Sequence, residues 1–145
     1  MNRKYVVSHT LVLAVGILLG VIVPVFAHSV GSKVTNLFNS PLTDELSPGR
    51  EVIVDLVEIP PNGKLDWHWH PGEEFHYYLE GNPIIERRDA APIIGKIGSV
   101  GHVKYGSLHQ ASAGDLGAKI LVFRVHTTGK PWRYLESEGR KSVEP

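Results

Sequence analysis

HWHPGEEFHYYLEG, residues 68–81, is the stretch whose reading decides the fold. It holds His68, His70 and His76, three of the eight histidines of the chain, together with the carboxylates Glu73, Glu74 and Glu80. His68 and His70 are separated by one residue. Side chains on an extended strand alternate between faces, so these two imidazoles point the same way. Pro71 and Gly72 predict a turn, because proline presets φ and glycine tolerates unusual backbone angles. Such a turn brings Glu74 back on the next strand, beside the two imidazoles. Two neutral nitrogens and one carboxylate on one side of a site make a facial set, which suits a divalent transition metal and leaves positions open for water or substrate. Gly81 and Asn82 close the next turn.

Working outward, residues 64–70 read as a strand with Leu65, Trp67 and Trp69 on the face opposite the histidines. Before it, residues 51–59 (EVIVDLVEI) are rich in β-branched side chains and read as another strand, ended by Pro60-Pro61-Asn62-Gly63. Ser47-Pro48-Gly49 is a turn. Residues 28–47 are a mixed polar linker with one short strand around 33–38. After the central stretch, residues 74–80 and 82–88 are strands joined by a tight turn. Residues 90–101 contain Pro92 and three glycines, and predict strand fragments and turns. Residues 102–105 and 108–111 flank a turn at Gly106-Ser107. Residues 113–117 form a loop, and 119–126 (KILVFRVH) form a strong strand. Residues 131–145 are expected as an extended tail. Short strands at regular turns, with no helical period after the N-terminus, predict an all-β sandwich or small barrel.

The 145 residues suffice for one domain. Fifteen basic residues balance fifteen acidic ones. Setting aside Arg3 and Lys4 at the extreme N-terminus leaves thirteen against fifteen, so no basic patch points to nucleic acid. There is no cysteine, which excludes disulfides, thiolate metal sites and cysteine nucleophiles. Any metal must be held by His, Asp or Glu. Arg3 and Lys4 precede an uncharged apolar run from Leu11 to Ala27, broken by Pro24. Residues 1–27 therefore read as a helical export segment: a signal peptide cleaved before His28, or an anchor over residues 5–27. Either way the remaining chain is placed outside the cytoplasm, in the periplasm or an equivalent compartment.

The motifs resemble those of the cupin superfamily, in particular its small single-domain members. The first family motif, G-x5-H-x-H-x3/4-E-x6-G, is met by His68, His70, Glu74 and Gly81, with the leading Gly63 one residue closer than usual. The second, G-x5-P-x-G-x2-H-x3-N, is met by Gly98, Gly106 and His109, while Lys104 stands for the proline and Ala113 for the asparagine. Ser99 stands where the family usually has aspartate. The resemblance covers residues 48–130 and implies a jelly-roll β-barrel with a metal inside, held by His68, His70, Glu74 and His109. Iron, manganese, zinc, copper and nickel all suit such donors.

His76 shares the strand parity of Glu74 and is read either as a proton-transfer residue or as a packed, hydrogen-bonded core histidine. Tyr78 lies on the same face, where its hydroxyl orients a ligand or satisfies a buried partner. Glu73 has the opposite parity and is expected in a surface pair. Lys104 either faces the mouth, where it would suit an anion, or faces water. His102 and His126 receive no role. Trp67 and Trp69 pack in the core or in a homodimer. No G-x-S-x-G elbow and no phosphate-binding loop are present. Two functions remain: a mononuclear-metal enzyme acting on a small oxygen-rich molecule, with His76 and Tyr78 moving protons, or a non-catalytic small-molecule binding module in the same barrel.

Overall fold

Strand periodicity builds the molecule. A computed structural model describes residues 31–138; the expected N-terminal signal or anchor helix lies outside them. The strands are β1 (Lys33–Pro41), β2 (Arg50–Ile59), β3 (His68–Trp69), β4 (Gly72–Glu80), β5 (Ile84–Arg87), β6 (Ile93–Ile94), β7 (Val100–Val103), β8 (His109–Ser112), β9 (Ala118–Thr127) and β10 (Tyr134–Leu135). One turn of 3-10 helix, Glu136–Glu138, is the only helix among the described residues. No helix there is long and apolar enough to cross a membrane. The strands form two antiparallel five-stranded sheets, ordered β1-β2-β9-β4-β7 and β10-β3-β8-β5-β6.

The long strands alternate cleanly. On β2, Ile53, Asp55, Val57 and Ile59 are buried; on β4, Gly72, Glu74, His76 and Tyr78; on β9, Ala118, Ile120, Val122, Arg124 and His126. β9 pairs along the whole of β2, from Arg50↔Thr127 to Ile59↔Ala118, and on its other side with β4. This register sends three inward rows into the space between the sheets. Val57, Tyr78, Ile85, Val103, Ile120 and Val122 form the centre of the apolar core there.

The turns do different work from the one their residues suggest. Pro71-Gly72 and Gly81-Asn82 do not close hairpins. They carry the chain across from one sheet to the other, since β3 and β5 lie in one sheet and β4 in the other. Gly106-Ser107 does the same between β7 and β8. Gly81 takes φ 71°, and a Cβ there would meet the Gly117 carbonyl oxygen at 2.1 Å, so the crossing needs glycine.

Residues 64–70 are less regular than expected. Only His68–Trp69 pairs as strand β3, with an isolated bridge at Lys64↔Ser112. Parity is lost there, and Leu65 packs against the core rather than away from it. Trp69 is 3% exposed and stacks on Tyr134 at 4.3 Å. The Arg88 guanidinium lies 3.9 Å over the Trp67 ring. Trp69 is thus covered by its own chain, while Trp67 stays half-buried under an exposed Arg88.

Candidate metal centre

Three elements meet at one point inside the barrel. β3 brings His68, the crossing after it brings His70, and β8 brings His109, which lies directly across the ladder from His68. Ring centroids are 4.4 Å apart for His68 and His109, 4.9 Å for His68 and His70, and 5.4 Å for His70 and His109. Their donor nitrogens all lie within 4.8 Å of one another. β4 places Glu74 beside them: Oε2 is 2.9 Å from His70 Nε2, and Oε1 is 3.2 Å from His109 Nε2. All four side chains are buried.

The outer nitrogens settle the tautomers. His68 Nδ1 is 2.6 Å from the Asp66 carbonyl, His70 Nδ1 2.5 Å from the Trp132 carbonyl, and His109 Nδ1 2.9 Å from the Ser107 carbonyl. A carbonyl only accepts, so each Nδ1 carries the proton and donates it. Each neutral ring then presents its Nε2 lone pair inward. This is the arrangement by which backbone carbonyls orient metal-binding imidazoles. His70 Nε2 is buried and makes no hydrogen bond, although Glu74 Oε2 is near. Acceptor faces acceptor there, a conflict that a cation between them would resolve.

Protons are poor candidates for that cation. Burial, together with His109 and His70, pushes His68 down to about 2. Burial also pushes His70 down to about 4, with Arg124 adding to the effect against the pull of Glu74. Burial alone would raise the Glu74 carboxyl, but Arg124, His70 and His76 beside it hold it well below the usual carboxylate range. Neutral imidazoles and an ionised carboxylate are the donor forms that bind metal.

Glu74 is held from behind. Arg124 Nε donates to Oε2 at 2.5 Å, and His76 Nε2 donates to Oε1 at 2.5 Å. Arg124 Nη1 pairs with Asp55. The Tyr78 hydroxyl is 3.4 Å from His76 Nδ1. Tyr78 is 1% exposed and belongs to the apolar core, and burial with Glu74 nearby raises its hydroxyl to about 12. Of the two proposed proton carriers, His76 therefore touches Glu74 directly, and Tyr78 stands one step behind it. Glu73 faces out and pairs with His102 Nε2 at 2.5 Å. Lys104 is exposed on the turn before β8.

Asp55 and Arg124 escaped the sequence reading, and His126 receives no role in it. The signal was present: Asp55 alternates with Ile53 and Val57, and Arg124 and His126 alternate with Ile120 and Val122, so all three had to point inward. Beside the donors, the cavity has room of about 20 Å³, enough for one water-sized species. It is lined by His68, Glu74, His76, His109 and Arg124 together with aliphatic side chains such as Val57, Ile85 and Val122.

The comparisons speak to the fold. The family model described as Cupin domain matches residues 55–123. Those residues belong to the cupin superfamily, and the chain is a small cupin-fold protein. A cupin-like protein from Thermotoga maritima superposes with a TM-score of 0.56 at 20% identity, over 72% of this chain and 74% of the other. A DMSP lyase from Ruegeria pomeroyi DSS-3 gives a TM-score of 0.54 at 20% identity, over 58% of this chain and 42% of the lyase. The oxalate decarboxylase of Lactobacillus farciminis, solved as a formate complex, gives 0.57 at 21% identity, over 74% of this chain and 32% of the decarboxylase. The chain thus spans less than half the length of these two enzymes, and the likeness is one of fold. No curated protein matches the chain.

Proposed function

We propose that this is an exported metal-binding cupin in which His68, His70, Glu74 and His109 hold one divalent transition ion, and that it acts on a small oxygen-rich molecule. The observation that carries the reading is the set of three Nδ1–H donations to backbone carbonyls, which aims three buried lone pairs and a carboxylate at each other. A bound ion would supply Lewis acidity or redox chemistry. The chain's own residues would do the rest. His76 would hold or move a proton at Glu74 Oε1. Arg124 would keep Glu74 ionised and aimed. The aliphatic lining would exclude water. Fold neighbours named as a lyase and as an oxalate decarboxylase in a formate complex support chemistry on small molecules.

The alternative is a non-catalytic small-molecule binding or sensing module that uses the same barrel pocket, since one fold hosts both kinds of function. Export by residues 1–27 and a homodimer complete the proposal. Unfolded export through a signal of this type would leave loading to the outer compartment, where zinc and copper outbind manganese and iron at N/O sites. Zinc should therefore be prominent in the isolated protein.

Metal analysis of protein recovered from its native compartment, followed by zinc titration, tests the reading. The full chain should bind one ion per chain, and His70→Ala should lose most of it while circular dichroism shows a folded barrel. A wild-type chain that holds no transition metal under any loading would refute it. Turnover on a panel of small carboxylates and enediols then separates enzyme from binding module.

A further inference from the structure

The segment after β9 lies beyond the family match, yet it is built into the site. Pro131 and Trp132 follow the turn at Gly129, and Tyr134–Leu135 pairs as β10 with β3, the strand that carries His68. Leu135 sits across from His68, and Tyr134 across from Trp69. The Trp69 and Tyr134 rings stack at 4.3 Å with planes 12° apart. The backbone then returns once more, with Glu136 N–H donating to the Trp67 carbonyl at 2.9 Å. Between these anchors, the Trp132 carbonyl accepts the Nδ1 proton of His70. His126 Nε2, fully buried, lies 3.2 Å from the Pro131 carbonyl and steadies the residue before. The Trp132 ring lies 6.1 Å from His70 and 5.5 Å from the Arg124 guanidinium.

His68 and His109 are oriented by the carbonyls of Asp66 and Ser107, each two residues earlier in the chain and just ahead of the strand, so local backbone suffices for them. His70 is oriented by a carbonyl 62 residues further along the chain. Its tautomer and ring angle therefore depend on whether this strap is docked. We infer that the strap 131–135 is a positioning part of the metal centre, so that strap docking and metal binding strengthen each other. The inference rests on the metal reading above. Coupling of this kind is reciprocal: whatever factor the docked strap adds to metal affinity, bound metal adds to docking. Loss of a group that orients a ligand histidine typically lowers metal affinity by about 10–100-fold.

The test uses zinc and the full chain, with affinity read by competition against a chromophoric chelator. Two variants are compared with it: a chain ending at Thr128, and Tyr134→Ala, which removes the stacking anchor and leaves every backbone group in place. Circular dichroism and thermal unfolding establish that each is folded. Both should bind zinc about 10–100-fold more weakly than the full chain. In the reciprocal arm, zinc should slow trypsin cleavage of the unmodified chain after Arg133, relative to the same chain in chelator. Should truncation abolish folding, Tyr134→Ala and the protection arm still decide. Unchanged zinc affinity in folded Tyr134→Ala, with no zinc protection at Arg133, overturns the strap inference and leaves the metal centre standing. A full chain that binds no zinc or other transition ion overturns the metal reading, and this inference with it.

Discussion

Arg124 carries the electrostatics of the interior. It is 3% exposed, donates through Nε to Glu74 and pairs through Nη1 with Asp55. A planar guanidinium can serve two carboxylates in fixed directions at once, which a single ammonium cannot do in the same geometry. Taking one partner from a buried ionic set leaves uncompensated charge, at a cost of about 3–5 kcal/mol. Arg124→Met should therefore lower unfolding stability by about that much, and Arg124→Lys should recover only part of it. Chemical denaturation of the metal-free proteins measures both. Wild-type stability in Arg124→Met would mean that Asp55 and Glu74 do not depend on this cation. The motif spacing led to His68, His70, Glu74 and His109. It said nothing of Arg124 or Asp55, because no motif includes them and only strand parity marks them as inward.

At the scale of the element, β4 is the member whose position matters most, because it carries both Glu74 and His76 between β7 and β9. Its first residue lies hard against β9: a Cβ on Gly72 would sit 2.3 Å from the Val125 carbonyl oxygen and 2.8 Å from His126 Cα. Both neighbours are backbone, so the strands themselves would have to part. Gly72→Ala should cost about 1–3 kcal/mol, typical of overpacking. Because Glu74 is only two residues along the same strand, zinc affinity should fall with stability. A variant as stable as the parent, with unchanged zinc affinity, would show that the β4–β9 spacing has slack. The residue type was readable in advance as a turn signal, but its steric role was not, since the clash is with a strand some fifty residues away.

At the scale of the whole molecule, the outer face of the β1-β2-β9-β4-β7 sheet carries a contiguous set of exposed apolar side chains among the described residues. Phe75 and Phe123 lie directly across the ladder from each other and are 37% and 42% exposed; Tyr77 and Val125 beside them are 41% and 37% exposed. With Trp69 buried beneath Tyr134, this face is where the proposed homodimer would form. Clustered aromatic side chains of this kind mark association surfaces more often than scattered ones do. Light scattering at micromolar concentration should give a dimeric mass, and Phe123→Glu should give a monomer with unaltered zinc binding. A monomeric wild-type chain would remove the dimer from the proposal.

Two properties of this protein were determined locally and were legible in the chain. Alternating β-branched runs specify strands, because neighbouring side chains must take opposite faces of an extended backbone. The spacing of His68, His70 and Glu74 on one side, and of His109 after Gly106, marks candidate donors whatever the packing. Only the tertiary structure decided that Pro71-Gly72 and Gly81-Asn82 cross between sheets, because a turn sequence sets local angles and not the sheet its arms will join. Only it placed ligands and apolar core in one shared interior, paired Glu74 with Arg124 from β9, and brought the Trp132 carbonyl to His70. Each of these is a contact between residues far apart in the chain, and such contacts follow from how two sheets close on each other rather than from any local preference.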